Sequence, residues 1–313
     1  MEVIRISAIA LAPLIVFMAL GYFFKKRNYM NEKTTRQLNI ICFRFFLSVM
    51  CGETVYKANL KENVDFLPAI IVGCGIVGVF LIAWIIVPRF IKDKTQIPVM
   101  IQGVYKANYA ILGITLAQSL CSGQDLGVIS LIAVILVPLN NAISAFIFEK
   151  YTGSSTSVPK MLLKVISNPL VVGSAVGLLF NITGVVIPSW IMTGIVAKLG
   201  ALATPLSMIA LGASFEFTHI RKYSKHLTWA VLARLVLIPA VTVPAAIVLG
   251  VRGASLVGIM IYAASPNAVN SYSTAVALGG DADLANEIVV MSSIISMATM
   301  FLWFVAVGSI VGL

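Results

Sequence analysis

The sequence predicts an all-α polytopic membrane protein of about ten transmembrane helices in two inverted five-helix repeats. Three observations carry that expectation. Hydrophobic residues make up 59% of the 313-residue chain and charged residues only 11%, far from the half-apolar, quarter-charged average of soluble domains. Apolar runs long enough to cross about 30 Å of hydrocarbon, at about 1.5 Å per helical residue, recur along the whole chain. The two halves also align with each other.

The runs of the first half begin near Ile6, Leu38, Phe66, Ile97 and Leu126. The first, Ile6 to Phe24, has only Arg5 before it but Lys25, Lys26 and Arg27 after it, with no small-residue cleavage pattern. It is therefore expected to be a retained helix rather than a signal peptide. The runs of the second half begin near Val165, Ile187, Leu227, Leu256 and Ala285. Between the halves lies a polar stretch with Gly153, Ser154, Ser155 and Pro159, a natural boundary. The expected organisation is a first repeat over residues 1–149, a cytoplasmic linker over 150–160 and a second repeat over 161–313.

The stretch Pro13 to Phe24 aligns without gaps against Pro169 to Phe180, with Pro, Leu, the second Val, Ala, Gly and the final Phe coinciding. A second register agrees: Asp125-Leu126 precedes the fifth run as Asp283-Leu284 precedes the tenth. Each half is thus one repeat, and because five is odd the second must enter the membrane from the opposite side.

Alternate connections are rich in Lys and Arg, among them Lys25, Lys26, Arg27, Arg89, Lys92, Lys94, Lys150, Lys160, Arg221 and Lys222, whereas the other side carries Arg5, Lys57, Lys61 and Arg252. The positive-inside rule then places both termini outside the cytoplasm. The acidic stretch Gly279 to Asp283 is nominally cytoplasmic, which the rule tolerates because carboxylates orient weakly. The net charge of +10 is therefore topology information, and no nucleic-acid partner is expected. Four cysteines stand singly without CxxC or Cys/His spacing, so neither a disulfide framework nor a metal site is indicated, and no cofactor is expected.

The polar interruptions point to a site. In the fourth run Gln102-Gly103 and then Lys106-Ala107-Asn108-Tyr109-Ala110-Ile111-Leu112-Gly113 break the apolar pattern near mid-membrane. The repeat places them opposite Ala264-Ser265-Pro266-Asn267-Ala268-Val269-Asn270-Ser271 in the ninth run. Matched interruptions in corresponding segments mark a binding site in transporters built from repeats. Pro266 removes a backbone donor, while Gly103 and Gly113 relax the backbone, so each helix can unwind. The freed N–H and C=O groups must then be covered by protein or line a watery cavity, and a freed helix N-terminus attracts anions. Asn108, Asn267 and Asn270 add amide groups there. Proline, glycine and hydrogen-bonded asparagine also occur in membrane helices for purely structural reasons.

Four basic residues, Arg44, Lys106, Lys198 and Arg234, fall inside apolar runs, whereas Glu53, Glu216 and Glu287 lie near run ends, so any buried charge is expected to be positive. Arg44 and Arg234 can snorkel to the cytoplasmic face, and snorkelling or structural pairing is the ordinary reading for Lys198 and Lys106 as well. Lys106, two residues before Asn108, is the sharpest candidate for a substrate-binding cation. His219 and His226 belong to the basic loop and resemble neither a metal set nor a proton relay. No nucleophile–base constellation, Walker loop or zincin helix occurs, so an enzyme is not expected.

On these residues the chain resembles the auxin efflux carrier family, specifically its bacterial members, among which are malate and malonate carriers. The resemblance spans nearly the whole length and is strongest at Ala203 to Ser214 and at Ala264 to Tyr272 running into Gly280-Asp-Ala-Asp-Leu-Ala285. Asn108 to Leu116 is similar to the family's asparagine and glycine pattern in the fourth helix. The resemblance implies a fold similar to bile acid sodium symporters, with the fourth and ninth helices broken and crossing beside the substrate. It also implies that Asn108, Asn267 and Asn270 hold a carboxylate, and that the chain forms a homodimer; from the short chain and the lack of a targeting extension, a bacterial-type cytoplasmic membrane is the expected location. The chain departs from the family at Thr115 and Ser48, where proline is usual, and Lys106 lies outside the family motif.

The expected function is secondary transport of a small carboxylate by alternating access. Proton, sodium or potential coupling and exchange all stay open. A ligand-sensing receptor or a channel using the same pocket is the alternative.

Overall fold

The computed structural model describes residues 2–57, 66–109, 126–153, 158–215 and 217–311, and these are helical apart from their connections and one isolated β-bridge. In chain order the helices are α1 (Glu2–Lys26), α2 (Glu32–Tyr56), α3 (Leu67–Phe90), α4 (Gln96–Tyr105), α5 (Leu126–Thr152), α6 (Val158–Ile166) and α7 (Pro169–Thr183). They continue with α8 (Ser189–Ser214), α9 (Phe217–Lys222), α10 (Ser224–Val248), α11 (Gly253–Ala264), α12 (Asn270–Leu278) and α13 (Ala282–Val311).

Several helices start before their apolar runs because polar caps, not the hydrocarbon boundary, begin a helix. α2 starts at Glu32, where the Asn31 side-chain oxygen accepts from the Thr34 amide at 2.9 Å, an ordinary N-cap. The run expected from Val165 is two helices. Asn168 caps α7 by accepting from the Leu170 amide at 3.0 Å, and Pro169 takes the first helical position, where a missing N–H costs nothing. α5 runs on through Thr152, past the expected repeat boundary at 149.

α2, α8 and α10 each contain a π-helical turn, at Cys42–Phe46, Met192–Val196 and Ala233–Leu237. Such turns displace the side chains that follow and concentrate at functional sites. In α2 the turn stands just before Ser48, whose hydroxyl donates to the Arg44 carbonyl at 3.2 Å. The loosened backbone is thus held by a side chain.

Among the described residues, α2, α3, α8 and α10 are long and apolar enough to cross a membrane, and α13 makes a fifth span if its 46° bend between Ser296 and Ala298 lies within one crossing. Polarity is inverted relative to a soluble protein. Ile82 on α3, Val241 on α10 and Leu302 on α13 are 60%, 71% and 61% exposed, while Lys106, Arg234 and Glu287 are 1%, 0% and 0% exposed. An apolar exterior around a polar interior suits hydrocarbon as the solvent.

Two helix pairs pack most closely, α1 with α8 and α2 with α7. Glycine permits both approaches. A Cβ on Gly21 or Gly212 would overlap the backbone of the facing helix in the first pair, and one on Gly173 or Gly177 would do so in the second. Small residues four apart are what let membrane helices close on each other. Gly21 and Gly177 occupy the same place in the aligned stretches that begin at Pro13 and Pro169.

Candidate functional site

α4 ends at Tyr105 and α11 ends at Ala264, and the chain beyond each is extended, with Lys106 at φ −85°, ψ 106° and Ser265 at φ −61°, ψ 145°. The two extended pieces meet side by side. Ala107 pairs with Asn267 in an antiparallel bridge. The Asn108 amide donates to the Pro266 carbonyl at 2.9 Å, and the Ala268 amide donates to the Lys106 carbonyl at 3.1 Å. Each break thereby satisfies the other's backbone, which hydrocarbon would otherwise leave unpaired at a cost of several kcal/mol per group.

Pro266 accounts for the break after α11, since its missing N–H orphans the carbonyl four residues earlier, that of Tyr262. The break after α4 has no proline. Gly103, expected at the break, is instead helical, two residues before the end of α4 and packed against Ile288 and Ala230. What holds the α4 end open is Asn267. Its amide nitrogen donates to the carbonyls of Gln102, Gly103 and Lys106 at 3.0, 3.2 and 3.1 Å. Gly113, also expected at the break, lies outside the described residues.

Beside the crossing is a cleft of about 40 Å³, lined by Lys106, Asn108, Asn140, Asn141 and Asn270 with Cys51 and Thr54 from α2. The Asn108 amide nitrogen and the Asn270 side-chain oxygen are buried there without hydrogen-bond partners. With the Gln102 amide oriented to satisfy its surroundings, its oxygen accepts from Lys106 Nζ at 3.1 Å. An ion pair does close within 4.0 Å elsewhere on α2, between Lys57 and Glu53, but none joins Lys106 to a described carboxylate. The Lys106 charge is thus unmatched by any described carboxylate. An ammonium, a free amide donor and the N-terminal end of α12 at Asn270 make a cleft that favours an anion.

The expected site residues therefore separate. Lys106, Asn108 and Asn270 line the cleft, whereas Asn267 lies behind it with its nitrogen committed to α4. Asn267→Ala would remove a donor shared by three carbonyls, of which that of Gln102 keeps the Lys106 amide and that of Lys106 the Ala268 amide while that of Gly103 loses its side-chain partner, so it should lower thermal stability by about 1–3 kcal/mol. Asn108→Ala, which removes an amide nitrogen without a partner, should melt near the wild type. Equal melting temperatures for the two variants in detergent would remove Asn267 from its capping role.

Of the two ordinary readings of Arg234, the structure shows structural pairing and not snorkelling. Arg234 lies in the π-turn of α10 and is 0% exposed, with Nε donating to the Ser265 carbonyl at 2.8 Å and Nη2 to that of Tyr262. Arg44 and Lys198, by contrast, are exposed. The buried ionisable residues, expected to be basic, include Glu287, which is 0% exposed; α13 starts at Ala282, ahead of its apolar run, and so carries Glu287 into the interior. Glu216 lies outside the described residues. Asn140 and Asn141 were missed although adjacent amides in the apolar run of α5 are a visible signal. Asn141 donates to Cys51 Sγ at 3.4 Å and Ser174 Oγ at 3.3 Å, joining α5 to α2 and α7.

A helical protein with an apolar exterior, broken helices joined inside it and an anion-favouring cleft at the join has the form of a multi-pass membrane transporter. The profile of the membrane transport protein family matches residues 6–304. The chain belongs to that family, the auxin efflux carrier family. It is also 23% identical over 297 residues to an uncharacterized transporter of Methanothermobacter thermautotrophicus, covering 93% of this chain and 95% of that protein.

Proposed function

We propose that this transporter is a secondary active carrier of a small organic anion, a carboxylate such as malate or malonate, and works by alternating access in the cytoplasmic membrane. The observation that carries the reading is the cleft at the crossing, where the Lys106 ammonium and the Asn108 amide nitrogen stand together without an acidic partner. In this reading Lys106 and Asn108 bind the carboxylate, Asn270 orients the rest of the anion, and Asn267 keeps the crossing open.

The architecture proposed is ten spans in two inverted repeats, residues 1–149 and 161–313, joined by a cytoplasmic linker over 150–160, with both termini outside. The equivalence of Gly21 and Gly177 at the reciprocal α1–α8 and α2–α7 contacts supports it. So does the mutual pairing of the two breaks. A cleft of about 40 Å³ has room for two or three waters, so the anion enters when the α2 wall draws away from the crossing. A homodimer, expected from the family, is part of the proposal.

Uptake of labelled malate, malonate and an aromatic monocarboxylate into proteoliposomes, with and without a pH gradient or a potential, tests the reading. Saturable uptake of one anion, lowered roughly tenfold in Asn108→Ala, is the expected result. No uptake of any of them by demonstrably folded protein would shift the assignment to a ligand-sensing receptor or a channel.

A further inference from the structure

The C-terminal end of a half-helix buried in a membrane exposes carbonyl oxygens with partial negative charge, which makes it a place for a cation. The crossing has two such ends, and they are closed differently. The α4 end is closed by the neutral amide of Asn267. The α11 end is closed by a full positive charge. The Tyr262 carbonyl orphaned by Pro266 accepts from Arg234 Nη2, the Ser265 carbonyl accepts from Nε at 2.8 Å, and the guanidinium lies over the Tyr262 ring at 5.4 Å.

Arg234 is 0% exposed, and no described carboxylate comes within 4.0 Å of it. Burying a charge without a counter-ion is costly. A neutral donor suffices at the sister end, so hydrogen bonding alone does not require this one. Carbonyl dipoles and an aromatic face converging on one centre are what a bound monovalent cation would find there.

We propose that Arg234 is a tethered cation, whose guanidinium fills the position that a dissociable monovalent ion would take at the C-terminal end of α11. The transporter then loads its anion without binding Na⁺. Shortening the side chain turns the position into a site for Na⁺ or free guanidinium. The consequence for transport rests on the carrier reading above, whereas occupancy of the carbonyls by a cation does not.

The test is the melting temperature of purified full-length protein in sodium chloride, in choline chloride of equal ionic strength, and in choline chloride with low guanidinium chloride. Wild type should melt alike in sodium and choline. Arg234→Ser should melt lower and recover saturably by roughly 5 °C with Na⁺ or guanidinium. A saturable stabilisation of wild type by Na⁺ overturns the proposal, as does a folded Arg234→Ser that neither cation restores. If Arg234→Ser does not survive extraction, Arg234→Gln is read by the same criteria, and the wild-type comparison decides independently. In proteoliposomes, wild-type uptake should be unchanged when choline replaces Na⁺, and uptake by Arg234→Ser should fall roughly tenfold and return with Na⁺. The melting experiment needs no transported anion, so a failure of the carrier reading leaves it intact.

Discussion

Lys106→Ala should abolish most saturable anion uptake, lowering uptake at subsaturating substrate by roughly 10- to 100-fold, while the protein stays folded. The magnitude follows from losing one charge-assisted hydrogen bond to a carboxylate, about 1.5–3 kcal/mol in a site shielded from water. Stability should hold because the ammonium has no described carboxylate to orphan: its Nζ faces the Gln102 side-chain oxygen, and removing a buried, unmatched charge relieves a desolvation cost. Lys106→Arg should retain part of the uptake, since it keeps the charge but brings a larger planar head into a cleft of about 40 Å³. Concentration dependence of uptake, measured beside size-exclusion profiles of the same preparations, decides the matter. A folded Lys106→Ala with wild-type affinity would show that the anion binds elsewhere.

The second large effect concerns folding. Gly212→Val should fail to give monodisperse protein. A Cβ at residue 212 falls on the backbone of Met18 in α1, which no rotamer change can relieve. Separating α1 from α8 would open one of the two closest helix contacts in the molecule, and a loss of about 4 kcal/mol or more is expected for overpacking against rigid backbone. Gly78→Ala in α3 is the control. Nothing lies within 4 Å of a Cβ there, so it should be neutral or slightly stabilising. If Gly212→Val extracts and melts like the control, the close α1–α8 approach is not required by the fold.

The segments were legible in the sequence because hydropathy is a local, additive property and the bilayer demands it run by run. Pro266 could likewise be read directly, since a missing N–H acts on a carbonyl four residues away. Helix ends were less legible: α2 begins at Asn31–Glu32, outside its apolar run, because a side-chain cap rather than hydropathy starts it. The break after α4 is expected at Gly103 and Gly113, and Gly103 is instead helical; Asn267, which holds the α4 end open, is 165 positions from Gln102.

The same distinction divides the site. By itself the sequence determined that the protein is helical and built for a membrane, that two apolar segments are interrupted, and that Lys106, Asn108, Asn267 and Asn270 are polar residues at those interruptions. These follow from composition, spacing and the valence of proline. Only the tertiary structure decided which of them share a cleft, that Asn267 stands behind it holding α4, that Asn140 and Asn141 close it from α5, and that Arg234 turns inward to the carbonyls of Tyr262 and Ser265. Sequence shows that a side chain can donate or accept; the partner it finds depends on which distant backbone the packed helices bring within about 3 Å, and no local pattern records that.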